Sequence, residues 1–238
     1  MTAGPDAPGV VVGLVLAAGA GRRFGRPKAL VQGWVGDRCT ALRTGGCDRV
    51  VVVLGAAAEE ARALVPEGVD VVVAAGWADG QSASLRAGLG ARAMTAADAA
   101  LVVLVDTPGL TGTAVARVLA AARDGGRAAT AHALVQATYD GEPGHPVVLG
   151  RAHWPPVLAE ARGDRGARDV LARGPVRRVP CEDVADGRDV DVEGDAARVG
   201  IDPTVGGDRV GASTDADRIL DTDRTRRAPA GPTPEEDA

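Results

Sequence analysis

Four short stretches of this chain are apolar almost without interruption: residues 10–17 (VVVGLVLA), 49–55 (RVVVVLG), 69–75 (VDVVVAA) and 99–106 (AALVVLVD). A strand with one wet face alternates apolar and polar residues. A strand with no polar member is buried on both faces, which requires helices above and below it and therefore parallel strands joined by helical crossovers. Helical patterns fill the gaps, at residues 35–44, 56–65, 82–93 and 111–124, the last opening after the capping residue Thr111. The expectation is an α/β protein with an open, doubly wound, mostly parallel sheet and right-handed crossovers. Its ligand crevice should lie beyond the carboxyl ends of the strands. Only 2% of the residues are aromatic, so Val, Leu and Ala must fill the core.

Beyond residue 125 the ladder loosens. Residues 128–150 read as two strands around a Gly/Pro-rich turn, a small antiparallel excursion flanking the crevice. Two short helices over 154–174 and a strand over 176–180 follow. From about residue 200 the chain fills with Asp, Arg, Gly, Thr and Pro. The expected organisation is one catalytic domain over 10–199 between disordered ends at 1–9 and 200–238.

A net charge of -5 excludes a general nucleic-acid binder, which needs a basic face. No apolar run approaches the roughly 18 residues of a membrane span, and the first nine residues carry no secretion signal. The three cysteines form no C-x-x-C pair. The expected setting is the cytoplasm.

Residues 19–25, G-A-G-R-R-F-G, follow the first strand directly. They fit neither the dinucleotide fingerprint, which needs glycine where Phe24 stands, nor the P-loop, where Gly-Lys-Ser/Thr would be required. The physics of both still holds, because glycines let backbone N–H groups approach an anion and the nearby cations add fixed charge. Lys28 is the one lysine among 27 basic residues, which marks a place where a compact ammonium is wanted in preference to a guanidinium. Asp106 closes an apolar strand, a position where a hard oxygen ligand suits Mg²⁺.

With these residues in view, "LAAGAGRRFGRPKAL" resembles the signature of nucleotidyltransferases of the molybdenum cofactor cytidylyltransferase type, the MobA-like NTP transferases. Further landmarks follow in order: "WADGQSASLRAGL", "LVDTPGLT", "GEPGHPVVLGR", "GDRGARDVL" and "DVDVEGD". The resemblance implies a Rossmann-like sheet of the nucleotide-diphospho-sugar transferase type. It implies transfer of a nucleoside monophosphate from an NTP, CTP in the first instance, to a phosphorylated acceptor of the molybdopterin type, with Mg²⁺ as cofactor and a molybdoenzyme as downstream partner. A sugar or polyol phosphate as acceptor, or a non-catalytic carrier of the molybdenum cofactor, are the competing readings.

By this resemblance Leu16, Ala17, Ala18, Gly19, Gly21, Arg23 and Lys28 bind the nucleotide, with Arg23, Lys28 and Asp106 catalytic. Asp106 is a metal ligand and a second comes from the late acidic motif, where Asp191 is preferred over Asp189. Alternation in an extended segment puts both on one side. The departure from the family's Thr-Pro-Glu-Asp continuation, here Val192-Glu193-Gly194-Asp195, bears on that second ligand alone. Ser82 and Ser84 stand near base and ribose, and capping of the following helix explains them equally well. His145 shapes the acceptor side. Arg165 and Arg168, three apart on one helix, read either as a clamp for the acceptor phosphate or as a surface pair balanced by Asp164 and Asp169.

Overall fold

The computed structural model describes residues 7–192, so residues 1–6 and 193–238, which include the stretch Glu193 to Asp195 and the tail at 200–238, lie outside the described residues. Seven strands form one sheet in the order β3-β2-β1-β4-β6-β5-β7. They are β1 (Val11–Ala17), β2 (Arg49–Leu54), β3 (Asp70–Val73), β4 (Ala99–Leu104), β5 (Leu134–Tyr139), β6 (Glu142–Gly150) and β7 (Arg177–Pro180). Every pairing is parallel except those of β6, which runs antiparallel to both β4 and β5.

Helices α1 (Trp34–Thr44), α2 (Ala58–Arg62), α3 (Gln81–Leu89), α4 (Gly112–Arg123), α5 (Gly126–His132), α6 (Trp154–Glu160) and α7 (Arg168–Arg173) pack around it. The central strand explains the unbroken apolar runs. Val11, Val15 and Ala17 enter one core with Trp34 and Leu42 of α1 and Val115 of α4. Val12, Leu14 and Leu16 enter a second core with Leu85 and Leu89 of α3 and Trp154 of α6. Both faces are dry, and each fully buried Val or Leu contributes about 1.5–3 kcal/mol.

Three expectations need correction. The stretch at 128–132 is the end of α5 and no strand, whereas the antiparallel element is present as expected, with β6 lying in the sheet between β4 and β5. The helix foreseen over 56–65 shrinks to Ala58–Arg62, because Leu64 and Val65 donate to Ala61 and Arg62 in a tightened turn that leads into Pro66. Strand β4 ends at Leu104, so Asp106 sits in the turn beyond it, although the Val105 amide still donates to the Leu16 carbonyl at 3.1 Å. Thr111 does cap α4, its hydroxyl accepting from the Ala114 amide at 3.2 Å. Among the described residues no helix is long and apolar enough to cross a membrane.

Candidate active site

The loop after β1 turns back tightly on itself. Gly21 adopts φ +60, and a Cβ there would fall 1.8 Å from the Arg26 carbonyl oxygen, so no side chain fits. The Gly25 amide donates to the Gly21 carbonyl at 2.8 Å. Phe24 is buried against Trp34 with ring centroids 5.6 Å apart, and Ala29 is buried as well. These two anchors fix the short turn at Lys28–Leu30 and send the lysine inward. Its Nζ lies 2.7 Å from Asp106 Oδ2 and 3.4 Å from Asp191 Oδ1, with the Lys28 side chain 13% exposed. Arg23 Nη1 reaches the other oxygen of Asp191 at 3.3 Å.

Asp191 arrives from far along the chain by a simple device. Val190 is fully buried, and its amide donates to the Asp106 carbonyl at 2.9 Å. The flanking Asp189 and Asp191 therefore both face the crevice, as alternation requires, and only Asp191 pairs with Lys28. Asp106 Oδ1 is buried and has no hydrogen-bond partner among the described residues. An orphaned carboxylate oxygen beside a second carboxylate fits a divalent cation that keeps waters or phosphate oxygens for its remaining positions. No cluster of three or more ligating side chains exists among the described residues, so substrate must complete such a site.

Two cavities meet at this carboxylate pair. One, of about 630 Å³, is lined by Leu16, Ala18, Gly19, Gly21, Lys28 and Ser84, together with Trp77 and Asp79. Ala17 is absent from the wall, its side chain pointing into the first core. The other, of about 900 Å³, has an apolar floor of Leu85, Val102, Val147 and Leu149. Both volumes fall within the range of small-molecule sites. Asp106, Asp191, Arg23 and Gln81 border both.

The serines behave differently from one another. Ser84 faces the smaller cavity, whereas Ser82 is fully buried and accepts a hydrogen bond from the Gly166 amide at 3.1 Å. Neither caps α3. The helix starts at Gln81 after Gly80, and the capping oxygen comes from Asp164, which accepts from the Gln81 amide at 3.2 Å. The turn around residues 163–166 thus rests on the start of α3, where a Cβ at Gly80 would lie 2.5 Å from the Gly163 carbonyl carbon.

In the larger cavity, His145 Nδ1 lies 3.2 Å from the Val102 carbonyl, and a carbonyl can only accept, so Nδ1 carries the proton. Burial lowers the His145 pKa and keeps the ring neutral. Arg165 and Arg168 do not share a helix: Arg165 closes a short turn and donates from Nε to Asp169 at 3.1 Å, while Arg168 opens α7. Arg178, opposite Gln136 in the β5–β7 pairing, lines the same cavity. Arg168 and Arg178 have no acidic partner among the described residues. Sequence reasoning missed Arg178, Gln136, Asp164 and Asp79. The arginine at 178 carries no motif, and only its register with Gln136 reveals the side it faces.

A mostly parallel sheet carries a glycine-rich loop after its first strand and a lysine–carboxylate pair at the crevice, and the family whose model the chain matches is one of nucleotide-dependent transferases. The chain matches the MobA-like NTP transferase domain over residues 13–179 and belongs to that family; it is a nucleotidyltransferase. It is 40% identical over 190 residues to the nicotine blue oxidoreductase of Paenarthrobacter nicotinovorans, covering 76% of this chain and 92% of that one. Among solved structures it resembles Rv0371c from Mycobacterium tuberculosis H37Rv, with a TM-score of 0.66, 28% identity and coverage of 81% of this chain and 98% of that one. A manganese complex of the same mycobacterial protein matches with a TM-score of 0.61 and 28% identity, covering 79% of this chain and 97% of that one.

Proposed function

We propose that this nucleotidyltransferase transfers CMP from CTP to a phosphorylated acceptor of the molybdopterin type and releases pyrophosphate. The observation that carries the reading is the Lys28–Asp106 pair, whose lysine lines the smaller cavity and whose carboxylate borders both, since the α-phosphorus must lie between the departing pyrophosphate and the acceptor. Residues 10–199 form the catalytic domain in this reading. The setting is the cytoplasm, in keeping with three free cysteines.

The triphosphate lies along the loop from Gly19 to Arg23, whose backbone amides and cations meet its charge. An acceptor phosphate oxygen attacks the α-phosphorus, the bond to the β-phosphate oxygen breaks, and that oxygen leaves with the electron pair as pyrophosphate. The attacking phosphate is already ionised at neutral pH, so no side chain removes a proton. Catalysis is then positioning and charge neutralisation. Lys28 holds an ammonium beside the reacting phosphoryl group, with Asp106 and Asp191 fixing its position, and Arg23 meets charge on the departing pyrophosphate. Asp106 and Asp191 would hold Mg²⁺, which supplies Lewis-acid polarisation of the phosphoryl oxygens. In the larger cavity Arg168 and Arg178 meet the acceptor's anionic end, and His145 with the apolar floor receives its body.

The test is pyrophosphate release across the four NTPs with Mg²⁺, with and without molybdenum cofactor. Release with CTP that depends on the cofactor is expected, and release with no NTP under any condition defeats the reading. The 40% identity to a nicotine blue oxidoreductase favours a second reading, reduction of a pigment-like acceptor in the larger cavity. Oxidation of a reduced nicotinamide dinucleotide by that pigment, without pyrophosphate release, would decide for it.

A further inference from the structure

Arg38, on α1, is a buried cation with no carboxylate in hydrogen-bond contact among the described residues, Asp37 and Asp106 acting on it through their charge alone. It is 3% exposed, its neighbours Val35, Cys39 and Leu42 are core residues, and burial lowers its pKa while the guanidinium stays protonated. Nη1 donates to the Thr107 carbonyl at 2.6 Å and Nη2 to the Pro108 carbonyl at 3.1 Å. Nε is buried with no partner among the described residues. Desolvating a charge is costly, and carbonyl dipoles offset less of that cost than a carboxylate would. An apolar residue would suit this part of the core better, so the guanidinium is there for the turn it holds.

That turn carries Asp106. The Asp106 carbonyl accepts from the Val190 amide at 2.9 Å and the Gly109 carbonyl from the Asp186 amide at 3.2 Å. Every carbonyl from Asp106 to Gly109 is thus held. The segment bearing Asp189 and Asp191 takes the outer two, and one guanidinium takes the inner two, the Thr107 carbonyl accepting from the Leu110 amide at 3.2 Å as well. Successive carbonyls of a turn diverge, and a rigid planar fork reaches both at once where a lysine or an amide reaches one.

We propose that Arg38 is a positioning residue for the divalent-cation site: its fork locks the turn after β4 so that the Asp106 carboxylate keeps its place at the border of the two cavities. This rests on the reading of Asp106 as a metal ligand. Outer groups that orient a ligand typically set 10- to 100-fold of metal affinity.

Arg38→Lys keeps the charge without the fork, and Arg38→Gln keeps a donor without the charge. Each is compared with the wild type in three measurements: Mn²⁺ binding in the presence of CTP, read by electron paramagnetic resonance of the free ion; CTP binding in EDTA; and the far-UV circular dichroism spectrum. Mn²⁺ affinity is expected to fall about 10-fold or more in both variants, with CTP binding in EDTA and the spectrum as in the wild type. A folded variant that binds Mn²⁺ as tightly as the wild type overturns the proposal. Failure of both variants to fold overturns it too, since Arg38 would then hold the fold itself. A wild-type protein that binds Mn²⁺ but releases no pyrophosphate defeats the transfer reading alone and leaves this comparison standing. A wild-type protein that binds no Mn²⁺ defeats the present proposal.

Discussion

Lys28 Nζ lies 2.7 Å from Asp106 Oδ2 across a sequence separation of 78 residues, with the two side chains 13% and 17% exposed. A pair this sheltered is little screened by solvent, so removing either member leaves the other charge poorly compensated. The ammonium is held beside a carboxylate whose second oxygen is buried without a hydrogen-bond partner among the described residues, an arrangement a guanidinium's width would disturb.

Replacing Lys28 with Arg therefore preserves the charge and loses the fit. Steady-state pyrophosphate release should show kcat lowered on the order of 100-fold, the scale of one preorganised electrostatic group. Full turnover by Lys28→Arg would refute the need for a compact ammonium.

The carboxylates should separate by rank. Asp106→Asn is expected to cost about 100-fold or more in kcat, and raising Mg²⁺ to saturation should not restore it. Asp191→Asn should cost more than Asp189→Asn, because only Asp191 contacts Lys28. Equal rates for Asp189→Asn and Asp191→Asn would remove the distinction drawn between them.

On the acceptor side the prediction concerns KM. Arg168→Ala and Arg178→Ala should each raise the acceptor KM about tenfold, as loss of one charged hydrogen bond implies, and leave the CTP KM alone. Arg165→Ala should do less, since its guanidinium is engaged by Asp169. A rise in the CTP KM instead would place these arginines on the donor side.

Acid should weaken the fold through His145. Burial puts its folded pKa below the ordinary 6.5, so above that pH neither state binds the proton and the contribution is complete. As pH falls below 6.5, the unfolded chain takes up the proton first and stability declines towards the folded pKa. Melting temperatures measured from pH 7.5 to 5 should drop less steeply for His145→Gln, which retains a donor for the Val102 carbonyl. Parallel curves would show that His145 does not titrate with unfolding.

The central parallel strands and the Thr111 cap were legible because each is written locally, in an unbroken apolar run or a polar residue before a helical period. Lys28 and Asp106 stood out by rarity and by position after a strand. What the sequence concealed is relational. Nothing in Glu142–Gly150 says that it enters the sheet between β4 and β5, since period-two patterning does not name a neighbour. The residue capping α3 is Asp164, 83 positions from the amide it receives, so the nearby serines were the natural and mistaken choice. Arg38 carries no motif, and only the burial of its guanidinium against the Asp106 turn distinguishes it from the other arginines.

The reversed direction of β6 divides the labour of the crevice. Its pairing with β4 stops at Val102↔Val147, so the strand's opening residues, Pro143 to His145, run on past the end of that pairing and wall the larger cavity. The hairpin tip at Asp140 and Gly141 leads directly into that wall and lines neither cavity itself. In the transfer proposed above, a longer tip would bear on the acceptor side and leave the loop from Gly19 to Arg23 untouched, which would make this hairpin a natural place for descendants of one ancestor to diverge in taste.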